Sequence, residues 1–215
     1  MIKGMLGKKL GMTSLFGSNG EYIPVTVIEA GPCRVTQVKT KATDGYNALQ
    51  LGFGLKKKDR ANKPAQGHFD KSGGECYAFV REFRVDNPED FEIGQTIALG
   101  NEIFSVGDRI DISGKNKGRG FSGVTKRHGF SLGRKTHGSH NYRQPGSIGN
   151  SAWPSKVIKG KKMPGRYGNA RQTMRNLEVV DIRPEMNLIL VKGAVPGPVN
   201  ATIEIKKPKG AKAAK

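Results

Sequence analysis

Gly114–Gly123 reads GKNKGRGFSG. Within it Gly118, Gly120 and Gly123 keep the G-x-G-x-x-G spacing of a dinucleotide-binding turn, where glycines let a pyrophosphate approach a helix N-terminus. The fold hangs on whether the surroundings support that turn. It requires a strand before the glycines, an apolar-periodic helix after them, and an acidic residue about 20 positions on for a ribose. Asp108–Ile112 could be the strand. Phe121–Leu132 (FSGVTKRHGFSL) is interrupted by Gly123 and Gly129, so no good helix is expected. The acidic residue is missing, because the next carboxylate after Asp111 is Glu178. A P-loop fails too, since no Gly-Lys-Ser/Thr closes a GxxxxG spacing. Glycines alternating with Lys115, Lys117 and Arg119 suit a backbone that passes close to phosphates, with amides and side chains both donating.

The absence of carboxylates is the wider signal. Ser113–Arg175 holds fifteen Lys or Arg, twelve Gly, three of the four His and no Asp or Glu. These 63 residues therefore account for fifteen of the nineteen net positive charges. The other 152 residues carry 22 basic and 18 acidic side chains, an ordinary globular balance. An excess of +19 repels itself, so a polyanionic partner is expected, with nucleic acid ahead of an anionic membrane surface. Cys33 and Cys76 form neither a CxxC pair nor a disulfide framework and read as reduced packing thiols. The N-terminal MIKGMLGKKLGMT lacks the apolar run of a signal peptide, and no stretch is long and apolar enough to span a bilayer; a soluble intracellular protein is expected.

The flanks of the basic segment read as β-rich. Glu21–Glu29 alternates after a Ser18-Asn19-Gly20 turn and pairs as a hairpin with Met12–Phe16. Arg34–Lys39, Tyr46–Phe53 and Phe79–Phe83 are further strand candidates, as are Leu177–Ile182 and Leu188–Val191 around Pro184-Glu185-Met186-Asn187. Lys56–Gly74 is polar, contains Pro64 and predicts a short helix or loop. Short strands at such spacing predict a mainly β fold, a small barrel or sandwich with little helix. The expected organisation is barrel over 1–112 with a polar insertion near 56–90, a basic extension over 113–175, and a return to the barrel over 176–206. A basic tail over 207–215 has no apolar periodicity and is expected to be disordered until bound.

Fourteen apolar residues scattered through 113–175 follow neither helical nor strand periodicity and cannot form a core. The extension is therefore expected to depend on a phosphate-rich partner for its order. His137 and His140 form an HxxH pair, yet no nearby Cys, Asp or Glu supplies a third ligand, so no metal is expected. Ser139 and Ser147 lie near histidines without a carboxylate to orient an imidazole. Trp153, the single tryptophan, sits in a Gly/Pro-rich loop from Arg143 through Gly146 and Gly149 to Pro154, and base stacking is as natural there as packing. Lys156, Lys159, Lys161, Lys162 and Arg166 form a basic strip around Val157, Ile158 and Met163, without any compensating acid. Phosphate contacts are expected at Lys115, Lys117, Arg119, Lys126, Arg127, Lys159, Lys161 and Lys162. Arg134, Lys135, Arg143, Lys156, Arg166 and Arg171 complete the RNA-binding set. Close backbone approach is expected at Gly118, Gly120, Gly123, Gly146 and Gly149, and base contact at Trp153, His137 and His140.

At this point the chain resembles a known family. The blocks GKKLGMT, IPVTVIEAGPCRVTQVKT, KGRGFSGVTKRHGF, THGSH, RQPGSIG, KVIKGKKMPG and LILVKGAVPG, in that order and across essentially the whole length, are similar to the bacterial form of large-subunit ribosomal protein three. The resemblance implies a translation-protein-type β-barrel held on the subunit surface near the 3′ end of the large ribosomal RNA. It implies an extension threading towards the peptidyl-transferase centre, with Arg143–Pro154 nearest the catalytic RNA. It also implies a part in early assembly, no catalysis, no cofactor, a cytoplasmic place in the ribosome, and proteins fourteen and nineteen as neighbours. Some bacterial members carry a methylated glutamine in this loop; here that position is Ala152, so the modification is expected to be absent. Two other classes stay open from the residues alone: a nucleotide-dependent enzyme using the glycine loop, and a basic protein of DNA or membrane surfaces, although no amphipathic helical period supports the membrane.

Overall fold

The computed structural model describes residues 2–17, 19–100 and 103–208. The chain divides into two compact units, one of Met1–Lys115 with Arg171–Lys215 and one of Asn116–Ala170.

The first unit is built on a closed six-stranded barrel. Its strands are β1 (Gly4–Phe16), β2 (Tyr22–Ala30), β7 (Arg109–Lys115), β10 (Arg171–Arg183), β11 (Leu188–Lys192) and β12 (Thr202–Lys206), in the spatial order β1-β12-β7-β10-β11-β2. Every neighbouring pair is antiparallel. Alternation sends Met5, Ile28, Ile110, Ile112, Ile189, Val191, Ile203 and Ile205 inward, each fully buried. The mainly β expectation and the barrel are both met. The hairpin read at the N-terminus is β1–β2, turned by Gly20 at φ 77° with Gly20 N–H donating to Gly17 O. Ser18 of that turn lies outside the described residues. Pro184-Glu185-Met186 makes the 3-10 turn between β10 and β11, and Asn187 closes it in the left-handed region at φ 54°.

Between β2 and β7 the chain leaves the barrel. β3 (Cys33–Lys39), β4 (Ala48–Lys56), β5 (Cys76–Arg84) and β6 (Thr96–Ile97) form a second sheet in the order β5-β4-β3-β6, with a one-turn helix α1 (Lys41–Asp44) between β3 and β4. Its buried face, including Val35, Leu49, Leu51, Phe83 and Ile97, joins the barrel residues in one continuous core. The polar stretch after β4 holds α2 (Lys63–Asp70). Asn62 caps it by accepting from Ala65 N–H at 3.1 Å, and Pro64 occupies its first turn, where no N–H is required. Phe69 of α2 packs edge-on against Tyr77 of β5 at 5.8 Å, beside Cys76. Both cysteines are buried and free, and burial pushes the Cys33 thiol up to about 11. The final strand β12 ends at Lys206. Residues 209–215, most of the expected basic tail, lie outside the described residues.

Candidate nucleic-acid interface

β7 and β10 frame the second unit. Lys115, the last residue of β7, stands directly opposite Arg171, the first of β10. The fifty-five residues between them carry twelve Lys or Arg and no Asp or Glu. Eleven of those cations are exposed, and Arg127 alone is half-buried. With no carboxylate in its own unit to neutralise them, the charges are presented to solvent.

The proximal part of the unit is ordered by its own polar contacts. β8 (Phe121–Ser122) pairs with β9 (Gly165–Arg166), opposing Phe121 to Arg166 and Ser122 to Gly165. Tyr167 N–H donates to Gly120 O and Arg119 N–H to Tyr167 O, while the Arg119 guanidinium lies 4.9 Å from the Tyr167 ring centroid. Gly120, at φ 62°, makes the turn into β8. A short helix α3 (Val124–His128) follows, with Gly123 as N-cap and Gly129, left-handed at φ 72°, as C-cap. This corrects the sequence reading. The two glycines do not abolish the helix; they bound one of five residues, too short for the long apolar face that a dinucleotide fold packs on its sheet. Only Ser122 and Val124 in this unit are buried. In place of an apolar core, Arg127 Nη1 donates to Met163 O at 2.8 Å, and His128 Nε2 lies 3.0 Å from the same oxygen.

The structure distributes the sequence candidates along this frame. Lys115 closes β7, Lys117 and Gly118 lead into the turn, Lys126 is exposed on α3, and Arg166 is exposed on β9. Gly118 lies against Asn169, where an added methyl would meet its Cβ at 3.5 Å. Arg134, Lys135, His137, His140, Arg143, Gly146, Gly149, Lys156, Lys159, Lys161 and Lys162 lie on the irregular stretch 130–164, all exposed. His137 adopts φ 59°, and among the described residues no group of three His, Cys, Asp or Glu stands ready to hold a metal. Trp153 is 85% exposed, with its peptide bond to Pro154 in the cis form. Arg171 differs from the rest: its guanidinium pairs with Glu204 at 2.7 Å on the barrel wall.

Two residues escaped the sequence reading as contributors here, Tyr142 and Tyr167. Tyr142 lies between two cations, with Lys135 Nζ 5.3 Å and the Arg143 guanidinium 5.2 Å from its ring centroid. The Lys135 ammonium, hydrogen-bonding the phenol, draws Tyr142 below the usual phenol range, helped by Arg143. Its adjacency to Arg143 was the available signal. Among the described residues no helix is long and apolar enough to cross a membrane.

A closed antiparallel barrel that opens between two strands into an acid-free, cation-studded unit defines a class of proteins built to meet a polyanion. The chain belongs to the ribosomal protein L3 family, whose model matches residues 69–187. It is 67% identical over 207 residues to large ribosomal subunit protein uL3 of Desulfatibacillum aliphaticivorans, covering 96% of this chain and 97% of that protein. The corresponding protein of Desulfosudis oleivorans is 61% identical over 207 residues, covering 96% of this chain and 99% of its own length. That of Desulforapulum autotrophicum is 56% identical with the same coverage.

Proposed function

We propose that this chain is a structural, non-catalytic component of the large ribosomal subunit, where it binds large-subunit ribosomal RNA and neighbouring ribosomal proteins in the cytoplasm. The barrel docks near the 3′ end of the RNA during early assembly, and the unit between β7 and β10 reaches towards the peptidyl-transferase centre. The observation that carries this is the run from Asn116 to Ala170, with twelve cations and no carboxylate. Within it, Lys117, Arg119, Lys126, Arg127, Lys159, Lys161 and Lys162, together with Lys115, are assigned to phosphates. Trp153, and after it His137 and His140, are assigned to bases, and the glycines at 118, 120, 123, 146 and 149 to close backbone approach. Proteins fourteen and nineteen are the proposed neighbours.

Salt dependence of binding to isolated large-subunit RNA tests the reading. Seven of these eight cations on phosphates predict that log affinity falls with log salt at a slope of roughly −5 to −6. A slope near zero overturns the electrostatic interface.

A further inference from the structure

The β1–β2 hairpin outruns the barrel that contains it. Pairing of β1 with β12 ends at Lys8 opposite Thr202, and pairing of β2 with β11 ends at Val25 opposite Lys192. Beyond those points Met12–Phe16 and Tyr22–Pro24 continue as a two-stranded ribbon, with Gly193 N–H reaching Pro24 O. Strand register puts Met12, Ser14 and Phe16 on one face with Thr26, Pro24 and Tyr22 opposite them. Phe16 and Tyr22 meet edge to face, ring centroids 5.7 Å apart, yet they are 77% and 67% exposed, and Met12 is 53% exposed. Leu10, at the β-bulge between Lys9 and Gly11, is exposed as well. Aromatic and methionine side chains in water at the end of a stiff ribbon are the composition of an interface centre.

Charge identifies the occupant. Leu10–Cys33 carries Glu21 and Glu29 but no Lys or Arg, in a chain with 37 cations among 215 residues. At the average density of this chain such a stretch would hold about four. Glu29 is opposite Lys8 on the neighbouring strand, which leaves Glu21, beside Tyr22, as the charge at the ribbon tip. A nucleic-acid surface recruits aromatic faces together with cations that neutralise the backbone; Met12–Pro24 carries none, and Lys192, opposite Val25 at the root of the ribbon, faces Glu178 at 3.9 Å. An apolar strip edged by a carboxylate fits the complementary pattern, an apolar strip edged by Lys or Arg on a protein.

We propose that the ribbon face formed by Met12, Phe16 and Tyr22 is a docking surface for a second, basic protein, and that this part of the molecule does not touch RNA. The ribosomal reading enters only in where that partner is sought. The test places the photo-crosslinking amino acid p-benzoylphenylalanine at Phe16 of the full chain. The chain is then combined with the total proteins and RNA of the large subunit under assembly conditions and irradiated. The expected adduct is a single Lys/Arg-rich protein, resistant to nuclease, and E21K lowers its yield several-fold. With the probe moved to Met12, F16S/Y22S lowers the yield at least tenfold while the thermal midpoint of the free chain is unchanged. An adduct with RNA, or no adduct, overturns the docking face. Sedimentation of the same samples is a separate readout: protein crosslinking without co-sedimentation with the subunit would sink the ribosomal reading and leave the docking face standing.

Discussion

The Arg127 guanidinium donates to the carbonyl oxygen of Met163 at 2.8 Å, joining positions 36 residues apart. The close approach depends on Gly165, where an added methyl would stand 2.6 Å from Arg127 Nη1. In a unit with two buried residues, this contact and the β8–β9 ladder hold the entering and leaving segments together.

R127A is therefore expected to loosen the ladder. A hydrogen bond from a charged donor is worth about 1.5–3 kcal/mol, and half-exposure of Arg127 places it at the low end, about tenfold in local opening. Amide exchange at Tyr167 and Arg119, whose N–H groups donate to Gly120 O and Tyr167 O beside the ladder, measures this. K126A, on the exposed side of the same helix, leaves exchange unchanged and lowers the salt slope of RNA binding by about 0.7–0.9. Unchanged protection in R127A would show that the guanidinium does not organise the unit.

Lys9 is buried in the barrel wall, and its ammonium donates to Val195 O at 2.8 Å and Gly197 O at 3.2 Å. Those carbonyls belong to the turn between β11 and β12. K9M keeps the apolar stem but removes the donor, leaving the acceptors short of a partner at a cost of about 1–3 kcal/mol. For a domain of this size that lowers the melting temperature by roughly 2–4 °C per kcal/mol, read in a thermal scan. A midpoint equal to wild type would mean that water replaces the ammonium without loss.

Glu204, mostly buried on β12, is faced by Arg81 of β5 at 3.2 Å, Arg171 of β10 at 2.7 Å and Lys206 of its own strand at 3.3 Å. Burial alone would raise its carboxyl, but the Arg171 hydrogen bond and the Lys206 and Arg171 charges outweigh this and hold it below the ordinary carboxylate range. Because the folded pKa is the lower one, the stabilisation is fully present above the unfolded value of about 4.3 and is lost as pH falls through the folded value. Denaturant midpoints of wild type are expected to decline below about pH 4.5, more steeply than those of E204Q. Parallel acid limbs in the two proteins would refute the assignment.

What was legible in the sequence was set by local pattern and by charge. The β1–β2 hairpin announced itself through alternation and a Gly turn, and the missing carboxylates between Asp111 and Glu178 marked the cationic segment. Tertiary partners were not legible. Nothing in Cys33–Lys39 or Ala48–Lys56 distinguishes strands of a second sheet from strands of the barrel, because both bury the same apolar residue types. Lys9 reads as a surface cation until the carbonyls of Val195 and Gly197 are seen around it. The helix between Gly123 and Gly129 was missed because glycine breaks a helix inside it and caps one at its ends, and spacing alone does not separate the two.

The register at the root of the second unit permits its clean removal. Lys115 and Arg171 are direct partners across an antiparallel pair, and in the next pair out Asn116 N–H donates to Ala170 O, the hydrogen-bonded geometry that a two-residue Asn-Gly turn closes. Replacing Lys117–Asn169 by Asn-Gly keeps every residue of β7 and β10 and the Asn116–Ala170 hydrogen bond. Excising Ser113–Arg175 instead takes three residues from β7 and five from β10, with them the Ser113–Thr173 hydroxyl contact at 2.8 Å and the Arg171–Glu204 pair. The shorter deletion is expected to melt within about 5 °C of wild type and the longer one well below it. Both are expected to lose most of the salt dependence of RNA binding and to enter large subunits poorly, as followed by sedimentation. Equal stability of the two deletions would show that those strand ends contribute nothing to the barrel. A wild-type salt slope in the shorter one would place the RNA contacts on the barrel rather than on Lys117–Asn169.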